Sequence, residues 1–173
     1  MLVYDRPQTS SLTYRPEPIP AQPTLGSAKE FLWIGAAEFA EPRLAIQILA
    51  SGAWRYVEQE LNRLLALDPG WNGYRARRMV PEAVFAAVNA LGQVINEQSL
   101  PPQFFPLPDG GVQFEWHVDG DALEAQLDPQ GDGNALGVRA NGDIFIEGDL
   151  TAERLWQMRD AVQKMSERVI AGR

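Results

Sequence analysis

From Val112 to Asp149 the chain alternates apolar and polar residues in short runs, and each run ends in a turn sequence. Val112, Phe114 and Trp116 alternate with Gln113, Glu115 and His117, and Asp119-Gly120-Asp121 then turns the chain. Leu123, Ala125 and Leu127 alternate with Glu124, Gln126 and Asp128, and the loop Asp128-Pro129-Gln130-Gly131-Asp132-Gly133-Asn134 follows. Leu136 and Val138 lead into Asn141-Gly142, and Ile144 and Ile146 complete the last run. A period of two is the mark of a strand with one buried face, and Asn-Gly is the strongest short hairpin signal because both residues tolerate positive φ. A short strand at Phe104–Leu107 precedes these four. The pattern predicts an antiparallel meander of four or five strands.

Elsewhere the period lengthens to that of a helix. Trp54, Val57, Leu61 and Leu64 recur at three- and four-residue steps, and Asp68-Pro69-Gly70 stops the run. Gly70-Trp71-Asn72-Gly73-Tyr74 reads as a turn, with Trp71 and Tyr74 as core plugs. Pro81-Glu82 opens a second helix with the stripe Val84, Val88, Leu91 and Ile95, which Pro101-Pro102 closes. Leu155, Met158, Val162, Met165 and Val169 form the longest stripe, capped by Thr151 or Asp149. A one-sided antiparallel sheet must be covered on its apolar face. The expected fold is therefore α+β, a four- to five-stranded antiparallel meander with helices packed on one face.

Two domain-level expectations follow. Residues 1–27, with Pro7, Pro16, Pro18, Pro20 and Pro23, read as a flexible Pro-rich arm, and residues 28–173 as a single α+β domain. Within 28–50, where the pattern is ambiguous, a strand is expected at 31–35 and a helix from about 43.

Composition narrows the chemistry. There is no cysteine, so disulfides and thiolate metal sites are excluded, and the single histidine, His117, excludes a multi-histidine site within one chain. No apolar run reaches the roughly 20 residues of a membrane-spanning helix. No basic-then-apolar leader is evident, so a bacterial or phage-like cytoplasmic protein is the simplest expectation. Neither cofactor nor metal is expected. In the loop at Asp128 the spacing of Asp128, Gln130, Asp132 and Gly133 resembles a calcium loop, but the closing position holds Arg139 instead of a bidentate glutamate, so a turn is expected.

The net charge is −8, and it is not spread evenly. Residues 101–149 hold ten acids (Asp109, Glu115, Asp119, Asp121, Glu124, Asp128, Asp132, Asp143, Glu147, Asp149) against Arg139 alone. An acidic surface repels phosphate backbones, which argues against direct nucleic-acid binding. It steers basic partners instead. Alternation places Glu115, Glu124, Asp143 and Glu147 opposite the core-facing residues, with His117 and Phe145 as apolar anchors among them. These six residues form the expected binding set. Arg75, Arg77 and Arg78 are expected to pair with carboxylates within the protein. No nucleophile elbow or phosphate-binding glycine loop accompanies them.

One stretch has a familiar look. Gly70-Trp71-Asn72-Gly73-Tyr74, Pro81-Glu82-Ala83 and Asp109-Gly110-Gly111-Val112-Gln113-Phe114-Glu115-Trp116 resemble a group of small uncharacterised bacterial proteins. That group carries a Gly-Trp-Asp/Asn-Gly turn and an Asp-Gly-Gly-x-x-x-Glu-Trp strand. The resemblance covers about a third of the chain. It implies a compact helix-plus-sheet unit and no particular activity.

The functional expectation is a non-catalytic binding protein of the antitoxin, immunity or anti-defence type. Its partner would be a basic or nucleic-acid-binding protein, not a membrane. One alternative is an assembly component that self-associates through the N-terminal arm. A second is a hydrolase using two of the sheet carboxylates.

Overall fold

The computed structural model describes residues 30–34, 43–47 and 52–172. Elements run in the order β1 (Glu30–Ile34), β2 (Arg43–Gln47), α1 (Gly52–Leu65), α2 (Pro81–Val94), β3 (Gln103–Pro106), β4 (Val112–Val118), β5 (Asp121–Leu127), β6 (Gly133–Val138), β7 (Ile144–Asp149) and α3 (Ala152–Ala171). β3 to β7 form a five-stranded antiparallel meander in sequence order, and β1 pairs with β2 in a separate antiparallel hairpin. The fold is α+β, as the alternation predicts. The helix expected from about residue 43 is corrected: Arg43–Gln47 is a strand, and α1 begins at Gly52. The alternation of Leu44 and Ile46, completed by pairing with β1, outweighs the helical pattern that follows. The N-terminal arm, residues 1–27, lies outside the described residues.

All three described helices bury their apolar stripes against one face of the meander. Val57, Leu61 and Leu64 of α1, Val84, Val88 and Leu91 of α2, and Met158, Val162 and Met165 of α3 join Val112, Phe114, Leu123 and Ala125 in one core cluster. Phe114 is fully buried in it, edge-on to Trp116 with ring centroids 5.7 Å apart. The Trp116 indole donates to the Leu100 carbonyl at 2.9 Å, so its one polar atom is satisfied where the ring is buried. Ser166 Oγ donates to Val162 O and accepts from Leu100 N, which ties α3 to the chain entering β3.

The helix ends follow local chemistry. Thr151, not Asp149, caps α3, its hydroxyl accepting from Arg154 N at 3.2 Å. α2 starts with Pro81 at its first position and stops at Val94, well before Pro101. Ile95 is extended, and Asn96 and Ser99 bond each other in the turn beyond.

The loop between α1 and α2 braces the β3–β4 hairpin, with Arg77 N donating to Pro108 O and Val80 N to Gly110 O. A side chain at Gly110 would meet Arg78 O at 2.7 Å, and φ there is +100°, so this close approach needs glycine. The reading of Tyr74 as a core plug is corrected: it is 85% exposed, while Trp71 is half-buried. Asn72 Oδ1 accepts from Tyr74 N, and this Asx turn holds Tyr74 at the exposed tip of the loop. Arg78 pairs with Asp68 at 3.3 Å, but Arg75 and Arg77 have no ion pair among the described residues. No helix among the described residues is long and apolar enough to cross a membrane.

Candidate binding face

The helices leave the other face of the sheet free of any described helix, and its composition follows from the strand register. One row across the strands runs Phe105, Gln113, Gln126, Asn134, Asp149. The next runs Gln103, Glu115, Glu124, Leu136, Glu147, and the third runs His117, Ala122, Val138, Ile144. The open face thus carries an amide row, a carboxylate row interrupted by Leu136, and an apolar row with His117 at its end.

Glu115 and Glu124 are directly opposed on β4 and β5. Two like charges in that position repel each other, and the neighbouring side chains answer the repulsion. Gln113 Nε2 donates to Glu115 Oε2 at 2.7 Å and to Glu124 Oε2 at 3.3 Å. Gln126 Nε2 in turn donates to Gln113 Oε1, and His117 Nε2 lies 2.9 Å from Glu115 Oε1. The result is a fixed hydrogen-bonded patch, held in place by side chains that alternation put on the same face.

Four of the six expected binding residues share this face: Glu115, His117, Glu124 and Glu147. The other two are corrected. Asp143 lies in the β6–β7 turn, where its carboxylate accepts from Asn141 Nδ2 and its own amide donates to Asn141 Oδ1. Phe145 lies on the core side. A register shift at Gly137/Val138 leaves Phe145 as an extra residue between the pairs Gly137–Ile146 and Val138–Ile144. Such a bulge shifts side-chain parity by one, so counting back from Glu147 gives the wrong face. The Phe145 ring fills the space that a side chain on Gly137 would occupy, with Cζ 2.8 Å from the ideal Cβ position.

The Arg139 guanidinium covers the Phe145 ring at 4.0 Å and also bonds Asp121 Oδ2 at 3.0 Å. Arg168 of α3 reaches the same oxygen at 2.9 Å, and the Ala140 amide donates to Asp121 Oδ1. Asp121 is buried, and the Ala140 amide, together with the two arginines, holds its carboxyl below the ordinary value despite its burial. This acid is therefore neutralised within the fold and does not contribute to an acidic surface. The sequence pattern alone assigns Asp121 to a turn. Its one legible signal was position, two residues before Leu123 and so on the core-facing phase of β5.

β6 departs furthest from the expected pattern. Its core-facing residues are the small ones, Ala135 and Gly137, while Leu136 and Val138 face outward and are half-buried. Ile144, paired with Val138, is 57% exposed. Leu136, Val138, Ala122 and Ile144 thus form an apolar rib, and Glu124 and Glu147 stand directly either side of Leu136.

At the calcium-like loop, Asp128 Oδ1 accepts from the Gln130 and Asp132 amides, which makes it a turn residue. Among the described residues no cluster of three metal-ligating side chains occurs. Two described cavities lie away from the sheet's open face: a groove of about 480 Å³ beside Phe85 and Gly131, and a small one between Asn96 and Ile170. Each holds a single carboxylate, Glu82 or Glu167. No family model, no curated protein and no solved structure matches this chain.

Proposed function

We propose that this chain is a non-catalytic binding protein, of the antitoxin, immunity or anti-defence kind, that docks a basic protein partner on the open face of its sheet. The observation that carries this reading is the inverted strand β6. A strand that turns Leu136 and Val138 away from the core and Ala135 and Gly137 toward it leaves apolar area in water that a second surface would bury. An apolar centre with a charged rim is the usual anatomy of a protein-binding patch. Glu115, Glu124, Glu147 and Asp149 supply a rim of one sign, which favours cations and disfavours phosphate.

Binding is favoured over hydrolysis by the setting of the carboxylates. Glu115 and Glu124 lie on an open sheet face and are bridged by the Gln113 amide, and neither lines the two described cavities. The test is a photoreactive residue placed at Val138 on the open face or at Gln157 on the outer side of α3, in cells of the source organism. The expected result is one discrete adduct from position 138, absent from position 157 and lost on adding Glu124→Lys and Glu147→Lys. Equal labelling at both positions, or none at 138, overturns the reading.

A further inference from the structure

The dimensions of the open face say what kind of element it receives. Glu124 on β5 and Glu147 on β7 are two strands apart, both paired with Leu136 on the strand between. Strands lie about 4.8 Å apart, so the two backbones are separated by roughly 9.6 Å. That matches the 10–12 Å or so of an α-helix with its side chains. A single extended segment points alternate side chains toward and away from the sheet, so it presents one line of residues over β6 and no lateral arms toward both Glu124 and Glu147. β6, six residues from Gly133 to Val138, is about 20 Å long, close to the length of roughly 14 helical residues.

We infer that the partner's docking element is a basic amphipathic helix lying along β6. Its apolar stripe rests on Leu136 and Val138, with Ala122 and Ile144 beside them, and its flanking lysines or arginines reach Glu124 on one side and Glu147 and Asp149 on the other. This rests on the proposed binding role and specifies its partner. A second copy of the chain fits poorly, because a symmetric contact would set the carboxylate row against itself. The three described helices of the chain itself already bury their stripes in the core.

The experiment uses the full chain, isotopically labelled, with three synthetic lysine–leucine peptides of about 14 residues in about 0.15 M salt. One carries leucine at i, i+3, i+4 and i+7. One is a permutation without a stripe. One strictly alternates and so favours a strand. The striped peptide is expected to shift the amide signals of Glu124, Leu136, Val138 and Glu147 and to bind about tenfold more tightly than the permuted one. Leu136→Asp is expected to cost about tenfold, and Glu124→Gln with Glu147→Gln together about threefold or more, with chemical shifts elsewhere showing an intact fold.

Equal binding by the striped and permuted peptides overturns the helix inference, as does perturbation confined to the outer side of α3. Tighter binding of the alternating peptide at the same residues overturns the helix while keeping the docking face. No shift with any peptide also overturns the helix, and the photocrosslinking above then decides the broader reading on its own.

Discussion

β5 and β6 are hydrogen-bonded neighbours with opposite habits. β5 puts Leu123, Ala125 and Leu127 into the core and Glu124 and Gln126 on the open face. β6 puts Ala135 and Gly137 into the core and Leu136 and Val138 on the open face. The pairs Ala125–Ala135 and Leu123–Gly137 show why this works: where β6 enters the core it meets β5 with little volume of its own. The space over Gly137 is taken by Phe145, delivered by the bulge in β7. Period-two alternation fixes that residues take turns. It does not say which set faces in. That is decided by volume on the core side, and by what must be left on the other.

The contrast can be broken at several points, and the largest effect belongs to β5. Leu123 is fully buried, so Leu123→Ala is expected to lose about 2–5 kcal/mol in urea unfolding, lost burial and residual cavity together. On β6, Gly137→Ala adds a methyl where Phe145 lies and is expected to cost about 1–3 kcal/mol by overpacking, with Phe145→Leu restoring part of it in the double variant.

Asp121 opens β5 on the core side, and its contribution should follow pH. Its folded pKa lies below the ordinary 3.8, so its stabilisation is present above that value and is lost as pH falls through the lower folded pKa. The gap in melting temperature between the native chain and Asp121→Asn should therefore be open at neutral pH and narrow progressively below pH 3.8. A gap constant down to the acid limit would mean that the Arg139 and Arg168 contacts are not charge-dependent.

The open face should be nearly silent in stability. Leu136→Ser is expected to cost about 1 kcal/mol or less, and Glu124→Gln about 0.5 kcal/mol or less, measured in the same urea titrations. A cost for Leu136→Ser equal to that of Leu123→Ala would remove the distinction between the two strands.

Much of the fold was legible because its signals are local. The turns at Gly120 and Gly142, the alternation in β4 and β5, and the α3 stripe each reside within a few neighbouring residues. That Glu115 and Glu124 share one face followed from alternation and one turn, while their direct opposition comes from the strand register. Phe145 and Asp143 were misplaced because a bulge adds one residue without leaving a mark in the local pattern. Asp121 escaped notice because its partner Arg168 is far along the chain, on α3, and no local pattern joins them. The outward apolar rib escaped for a related reason, since its sign depends on Phe145 filling the core above Gly137.

If β6 turns a partner-binding surface outward, Leu136→Asp should abolish binding without unfolding the chain. The variant is expected to keep its circular dichroism and melt within a few degrees of the native chain, yet lose the discrete photoadduct formed from position 138. A folded Leu136→Asp protein giving the same adduct in undiminished yield would contradict it.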